Sequence, residues 1–263
     1  MGKIFAIMSG KGGVGKSTLA AGLAEYYARL GKTAVLLDGD TGLRCADLML
    51  NAQDQVLYDL GDVVKGACSL DQALVRVNGI GGLCLLAAPQ LMKPSDLKAK
   101  EMGRLITRLA EEKDVVILDA PAGIGRGLKN LLGAAAEPVI VATADDVSVR
   151  DAEKLGAMLK EKEEPRPVIV FNRVEPALVR RGVMASPKAL ALALDMPLMG
   201  IVPESKAVYR ALLRHQTVLN CGDEQVISAI AVLAKRLLGQ EAALPEYIPS
   251  PILRFFYRGG DRP

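Results

Sequence analysis

Short runs of apolar residues alternate along this chain with longer stretches in which apolar positions recur every three or four residues. The runs fall at 4–8, 33–37, 83–87, 115–118, 139–143, 168–171 and 198–202, with glycine, proline or acidic residues close by. Unbroken rather than alternating hydrophobicity suits strands covered on both faces, so the runs predict a largely parallel sheet. The intervening stretches predict its covering helices. The alanine-rich segment 19–30 is one, 96–111 follows Ser95 as an N-cap, and 148–160 and 224–238 carry the helical apolar spacing. The fold class expected is α/β, a mostly parallel sheet flanked by helices.

At 263 residues, half of them hydrophobic and 24% charged, the chain suits one globular unit of this class. A net charge of +3 selects no partner, because local patches decide that. No apolar run approaches the length of a membrane span, and the N-terminus enters the first strand without a basic leader, so a cytoplasmic protein is expected. Met1-Gly2 does not make a myristoylation signal, since Ala6 stands where Ser or Thr is preferred. Cys45, Cys68, Cys84 and Cys221 are too scattered for a zinc or cluster scaffold and read as buried or idle thiols. His215, the one histidine, reads as a surface residue.

Residues 10–18 carry the chemistry: Gly10, Lys11, Gly12, Gly13, Val14, Gly15, Lys16, Ser17 and Thr18. They satisfy G-x-x-x-x-G-K-[ST], in which backbone N–H groups cradle phosphates, a lysine reaches the outer ones and a hydroxyl binds Mg²⁺. A chance match in a chain this long has odds of roughly one in a hundred, and the strand before and helix after are what the mechanism needs. The prediction is therefore a P-loop nucleoside triphosphatase using ATP and Mg²⁺. The same glycines fit G-x-G-x-x-G with Asp38 downstream, but a dinucleotide pyrophosphate has no use for Lys11 and the Lys16-Ser17 pair.

Ligands of an open parallel sheet sit beyond the carboxyl ends of its strands, so acids ending strands carry weight. Two loops qualify, 38–44 and 119–125. Asp119 is the candidate for outer-shell contact with Mg²⁺, Asp40 for positioning the attacking water, and Asp38 for holding its loop or joining the metal shell. Lys16 and Asp40 are the expected catalytic residues; Ser17, Asp38 and Asp119 the metal-associated ones.

After Gly239, prolines 245, 249 and 251 break any regular helix, so the domain is expected to span 1–240, followed by a linker at 241–251 and a tail at 252–263. On a helix of about 100° per residue, Ile252, Leu253, Phe255, Phe256 and Tyr257 share one broad arc, with Arg254 and Arg258 opposite its centre. By pattern alone this tail equally suits docking on the domain or lying on a membrane.

The motif GKGGVGKST, with DGDTGLRCADL at 38–48, DAPAGI at 119–124, VSVRDAEKL at 147–155 and GIVPES at 200–205, closely resembles the MinD division-site-selection ATPases. The resemblance runs from residue 1 to about 238. The first motif alone defines the wider deviant-Walker group, with plasmid-partition ATPases and nitrogenase iron proteins; the later loops narrow it, although Ala120 replaces an expected serine. The resemblance implies an ATP-dependent homodimer in which Lys11 is a third catalytic residue, acting in trans on the partner's phosphates. It implies that Asn172 and Pro203 contact adenine and that the tail binds an anionic membrane, making the protein cytoplasmic and peripheral on the inner face of the cell membrane. Expected partners are a MinC-like inhibitor and a MinE-like or other topological regulator. A partition-type ATPase would instead bind DNA through patches such as Arg180, Arg181 and Lys188, but no dedicated motif is present, so nucleic acid is not expected. Cys45 and Cys84 do not match the cluster positions of the iron proteins.

Overall fold

In the computed structural model, strand β1 (Lys3–Met8) is buried on both faces, and its side chains divide between two cores. Ile4, Ala6 and Met8 join one, Phe5 and Ile7 the other. This division is why the strand reads as an unbroken apolar run. The structure describes residues 1–247 except 42, 91, 93–95, 124, 132–135 and 161–164, and the side chains of 126, 127 and 129.

Eight strands form one sheet: β1, β2 (Ala34–Asp38), β3 (Val75–Arg76), β4 (Leu83–Leu86), β5 (Val115–Asp119), β6 (Glu137–Ala142), β7 (Val168–Val174) and β8 (Leu198–Pro203). Their order is β3-β4-β2-β5-β1-β6-β7-β8, and all pairs are parallel except the edge pair β3–β4. The helices are α1 (Lys16–Arg29), α2 (Ala46–Met49), α3 (Leu60–Lys65), α4 (Leu70–Ala73), α5 (Ala99–Glu112), α6 (Arg126–Leu131), α7 (Asp146–Lys160), α8 (Pro176–Arg181), α9 (Pro187–Ala193), α10 (Lys206–Leu213) and α11 (Glu224–Leu237). One core packs α5, α6, α7, α8 and α9 against the sheet; the other packs α1 and α11, joined by the Tyr27 hydroxyl donating to the Ala234 carbonyl at 2.9 Å. The protein is thus a single α/β domain with a mostly parallel sheet between helical layers.

The expected strands are all present, with ends that differ. β7 runs on to Val174 rather than stopping at Phe171, because Asn172 and Arg173 stay in the strand across a register shift against β8. The helix expected from residue 96 starts at Ala99 with Lys98 at its N-cap and no side-chain cap; Ser95 lies outside the described residues. Helix α1 begins at Lys16, three residues before the apolar pattern suggests. His215 is exposed, as expected, and adopts φ 54°. Residues 241–247 have no regular secondary structure but do not leave the domain: Arg236 donates to the Ala242 carbonyl at 3.0 Å, and Tyr247 packs on the first core. The tail residues 252–258 lie outside the described residues.

Candidate nucleotide site

Beyond Met8 the chain must reverse from strand to helix within a few residues, and it does so through Gly13 (φ 81°) and Gly15 (φ 90°), left-handed conformations that glycine adopts without strain. Gly15 is also the N-cap of α1, where a β-carbon would collide with the Asn172 amide; one at Gly10 would collide with Asp151. The loop therefore lies against the end of β7 and the first turns of α7. A helix N-terminus opening on a glycine loop is an anion site by its free N–H groups and its dipole.

Lys16 opens α1 and turns inward. Its Nζ lies 2.5 Å from Asp119 Oδ1 and 3.2 Å from Ser17 Oγ, and the Lys16–Asp119 pair is almost fully buried. Asp119 ends β5 and Asp38 ends β2, and the two are register partners on adjacent strands. Burial, with the Asp119 charge second, pushes the Asp38 carboxyl up to about 7. Burial also raises Asp119, against the pull of Lys16 and a hydrogen bond from Ser17. Asp119 Oδ2 is buried without a hydrogen-bond partner, an expensive arrangement that a divalent cation or its hydration shell would relieve. The donor set of Ser17 hydroxyl and Asp119 carboxylate suits Mg²⁺, and the glycine cradle suits phosphates.

Asp38 points into its own loop. Its carboxylate accepts from the backbone N–H groups of Asp40, Cys45 and Ala46 at 3.0, 3.1 and 3.0 Å. Of its two expected roles the geometry displays the loop-holding one. The Gly39 N–H donates to the Asp119 carbonyl at 2.9 Å and the Gly123 N–H to the Ser9 carbonyl at 2.8 Å, so both acidic loops are tied to the sheet and the phosphate loop. Asp40 is half-buried and its charge reaches Asp119. Cys45 is half-buried near Ser17, and burial raises its thiol pKa.

Lys11 is placed differently from Lys16. It stands on the outer side of the loop, 42% exposed, with Asp145 at 3.5 Å as a surface partner. A hydrogen bond from Thr143, foremost, keeps the Asp145 carboxyl below its usual range. Asn172 donates from Nδ2 to the Val14 carbonyl at 2.7 Å, and Asn172 and Pro203 line one wall of a cleft of about 220 Å³ shared with Gly13, Gly15 and Thr18. Arg173, at φ 58°, pairs with Glu204 at 2.5 Å on the cleft rim. Arg173, Glu204 and Asp145 were not legible as site residues in the sequence; the strand ends carrying them are apolar runs whose closing polar residues resemble ordinary loops.

Among the described residues there is no group of three or more potential metal-ligating side chains, and no helix is long and apolar enough to cross a membrane. Fold and site define a P-loop nucleotide-binding protein, and the CobQ/CobB/MinD/ParA nucleotide binding domain model matches residues 5–218. Within that class the chain belongs to the MinD family of septum site-determining ATPases. It is 33% identical to the Synechocystis septum site-determining protein MinD, over 94% of each chain. To the Bacillus subtilis MinD it is 34% identical, over 93% of this chain and 92% of that one. The MinC:MinD cell division protein complex of Aquifex aeolicus contains a chain that superposes with a TM-score of 0.84 at 29% identity, covering 93% of this chain and 99% of its counterpart.

Proposed function

We propose that this MinD-like ATPase is a Mg-ATP-dependent dimerising switch that attaches reversibly to the inner membrane surface and positions the division site. The observation that carries the reading is the contrast between two lysines on one loop: Lys16 buried on Asp119, Lys11 exposed and turned away from that pair. A lysine committed to its own subunit's phosphates would not stand on the outer rim, so Lys11 is available to a second subunit. Its charge there would stabilise the transition state as an arginine finger does.

In this reading the N–H groups of 12–17 would hold the phosphates and Lys16 would reach the outer ones, while the Ser17 hydroxyl and the Asp119 carboxylate would hold Mg²⁺, directly or through water. Mg²⁺ neutralises charge on the phosphate oxygens when bound. Asp40 orients the attacking water, Asp38 keeps the 38–46 loop in place, and Asn172 and Pro203 hold the base. The tail at 252–263 anchors the dimer through Ile252, Leu253, Phe255, Phe256 and Tyr257 with Arg254 and Arg258, while 241–251 links it to the domain. The family assignment and the MinC:MinD relative support a MinC-like partner, with a MinE-like or other regulator stimulating hydrolysis. Sedimentation velocity with a non-hydrolysable ATP analogue and with ADP tests the switch: a dimer in the analogue and a monomer in ADP are expected, and a monomer in both sinks it.

A further inference from the structure

We infer that the α8–α9 hairpin is a second membrane contact, an interfacial face presented to anionic lipid beside Tyr247, the last described residue. This rests on the membrane attachment proposed above and adds a part of the folded domain to it. Residues 176–193 contain Arg180, Arg181 and Lys188 and not one acid. All three cations are exposed, and the same segment turns two large apolar side chains outward: Val183 is 61% exposed and Leu192 83%. Apolar side chains set among these cations match a negatively charged bilayer surface, the nearest acids of other elements being Glu224, in the cleft beside Arg180, and Glu246, in the cleft beside Lys188.

Both helices begin with proline at their first turn, and only one side of each faces the sheet, through Val179 on α8 and Ala191 on α9. The outward side of α9 is thus free to carry Leu192 and Lys188. The acids nearest in sequence bracket the segment: Glu175 precedes it, and Asp195 is held by Lys160 at 2.9 Å and Arg166 at 2.8 Å.

The place of this face in the fold singles out its occupant. The strap 242–247 runs between α11 and the hairpin, along clefts lined by Pro176 and Arg180 on one side and Ser186, Pro187 and Lys188 on the other. Tyr247 ends the strap packed on the core within reach of the Arg180 charge. Residues 248–263 follow in sequence, and within them 252–258 carry five apolar side chains and two arginines. A membrane bound by the tail would be tethered to the domain through residue 247, beside the hairpin, so that the hairpin's weak contacts would act at a raised effective concentration.

The chain contains no tryptophan, so Leu192→Trp introduces a single indole reporter on an exposed, non-catalytic position. With phosphatidylglycerol–phosphatidylcholine vesicles and ATP, its emission should shift to the blue and be quenched by brominated lipid, and both effects should be absent in ADP. In the full chain carrying Arg181→Glu and Lys188→Glu, vesicle affinity should fall about fivefold or more per reversed cation while basal ATPase and melting temperature stay unchanged. Wild-type chain that sediments with vesicles while the indole remains solvent-exposed overturns the hairpin contact and leaves the tail anchor standing. Failure of the wild type to sediment at all overturns both. A blue shift that depends on protein concentration or on duplex DNA, without vesicles, assigns the face to a second copy or to nucleic acid and overturns the lipid reading.

Discussion

Lys16 Nζ rests 2.5 Å from Asp119 Oδ1 in a nearly water-free setting at the carboxyl end of β5. Each charge in such a pair is tolerable only because of the other, so removing one leaves an uncompensated buried ion. Lys16→Ala should abolish productive nucleotide binding in a titration, since no group remains to reach the outer phosphates. It should also lower nucleotide-free stability by up to about 3 kcal/mol in urea unfolding, less as Asp119 takes up a proton. Nucleotide affinity equal to wild type would remove Lys16 from its role.

Asp38 titrates near 7 in the fold because burial and Asp119 penalise its charge, whereas the unfolded carboxyl titrates in the ordinary range near 4. Between those values the folded state binds the extra proton, so this group's contribution makes stability fall as pH rises from about 4 to 7. Exposed carboxylates with lowered values, Asp114 and Asp195, give the opposite slope at lower pH. The difference between wild type and Asp38→Asn isolates the buried group: the variant should lose part of the decline between pH 4 and 7 in thermal melts. Parallel stability–pH curves would show that Asp38 is not the cause.

If Lys11 acts in trans as proposed, Lys11→Ala should leave monomers able to hold nucleotide but impair dimerisation and turnover, since the charge lost would be the one offered to the partner's site. Arginine fingers supplied in trans are worth on the order of 10³ in rate or more, so the loss of ATP-dependent turnover should be large. Asp40→Ala should do the reverse and trap the ATP dimer, with phosphate binding intact and water positioning lost. Light scattering beside phosphate release separates the two, and normal hydrolysis by Lys11→Ala would end the trans-lysine mechanism.

Asn172→Asp tests the base cleft. The Nδ2 donor to the Val14 carbonyl would become an acceptor facing another acceptor, in a site where Asn172 is nearly buried. Nucleotide affinity should fall by roughly 10- to 100-fold, a loss of about 1–3 kcal/mol from an unsatisfied buried group. Isothermal titration with ATP and with inorganic triphosphate distinguishes a lost base contact from a disturbed phosphate loop, which Gly15 abuts.

The sheet and the phosphate loop were legible because each needs little beyond its own segment: doubly buried strands are unbroken apolar runs, and the loop's glycines and lysines stand together in sequence. Elements stabilised by their ends were harder to read. Helix α3 is closed by a reciprocal pair, Asp59 with Asp62, and α4 by Ser69 with Gln72, polar spacings that fall outside apolar periodicity. Pro176 and Pro187 resemble helix breakers, yet at the first turn they start α8 and α9. The Lys11–Asp145 and Arg173–Glu204 pairs join strand ends far apart in the chain, so only the fold brings them together.

The proposed membrane attachment turns on the tail. Burying its five apolar side chains gains on the order of 8 to 15 kcal/mol, and ordering 252–258 costs roughly 7 to 14 kcal/mol. Attraction of Arg254 and Arg258 to anionic lipid adds about 1 kcal/mol each. One tail is thus marginal, while a dimer carrying two gains effective concentration from the first attachment. Vesicle binding should follow nucleotide state, present in ATP and lost in ADP. Phe256→Glu, and a chain truncated after Pro249, should lose binding with nucleotide affinity unchanged, because neither change touches the P-loop or the base cleft. Cosedimentation of the truncated chain equal to that of the full chain would exclude the tail as the anchor. It would leave the folded domain, or a tail docked upon it, as the source of attachment.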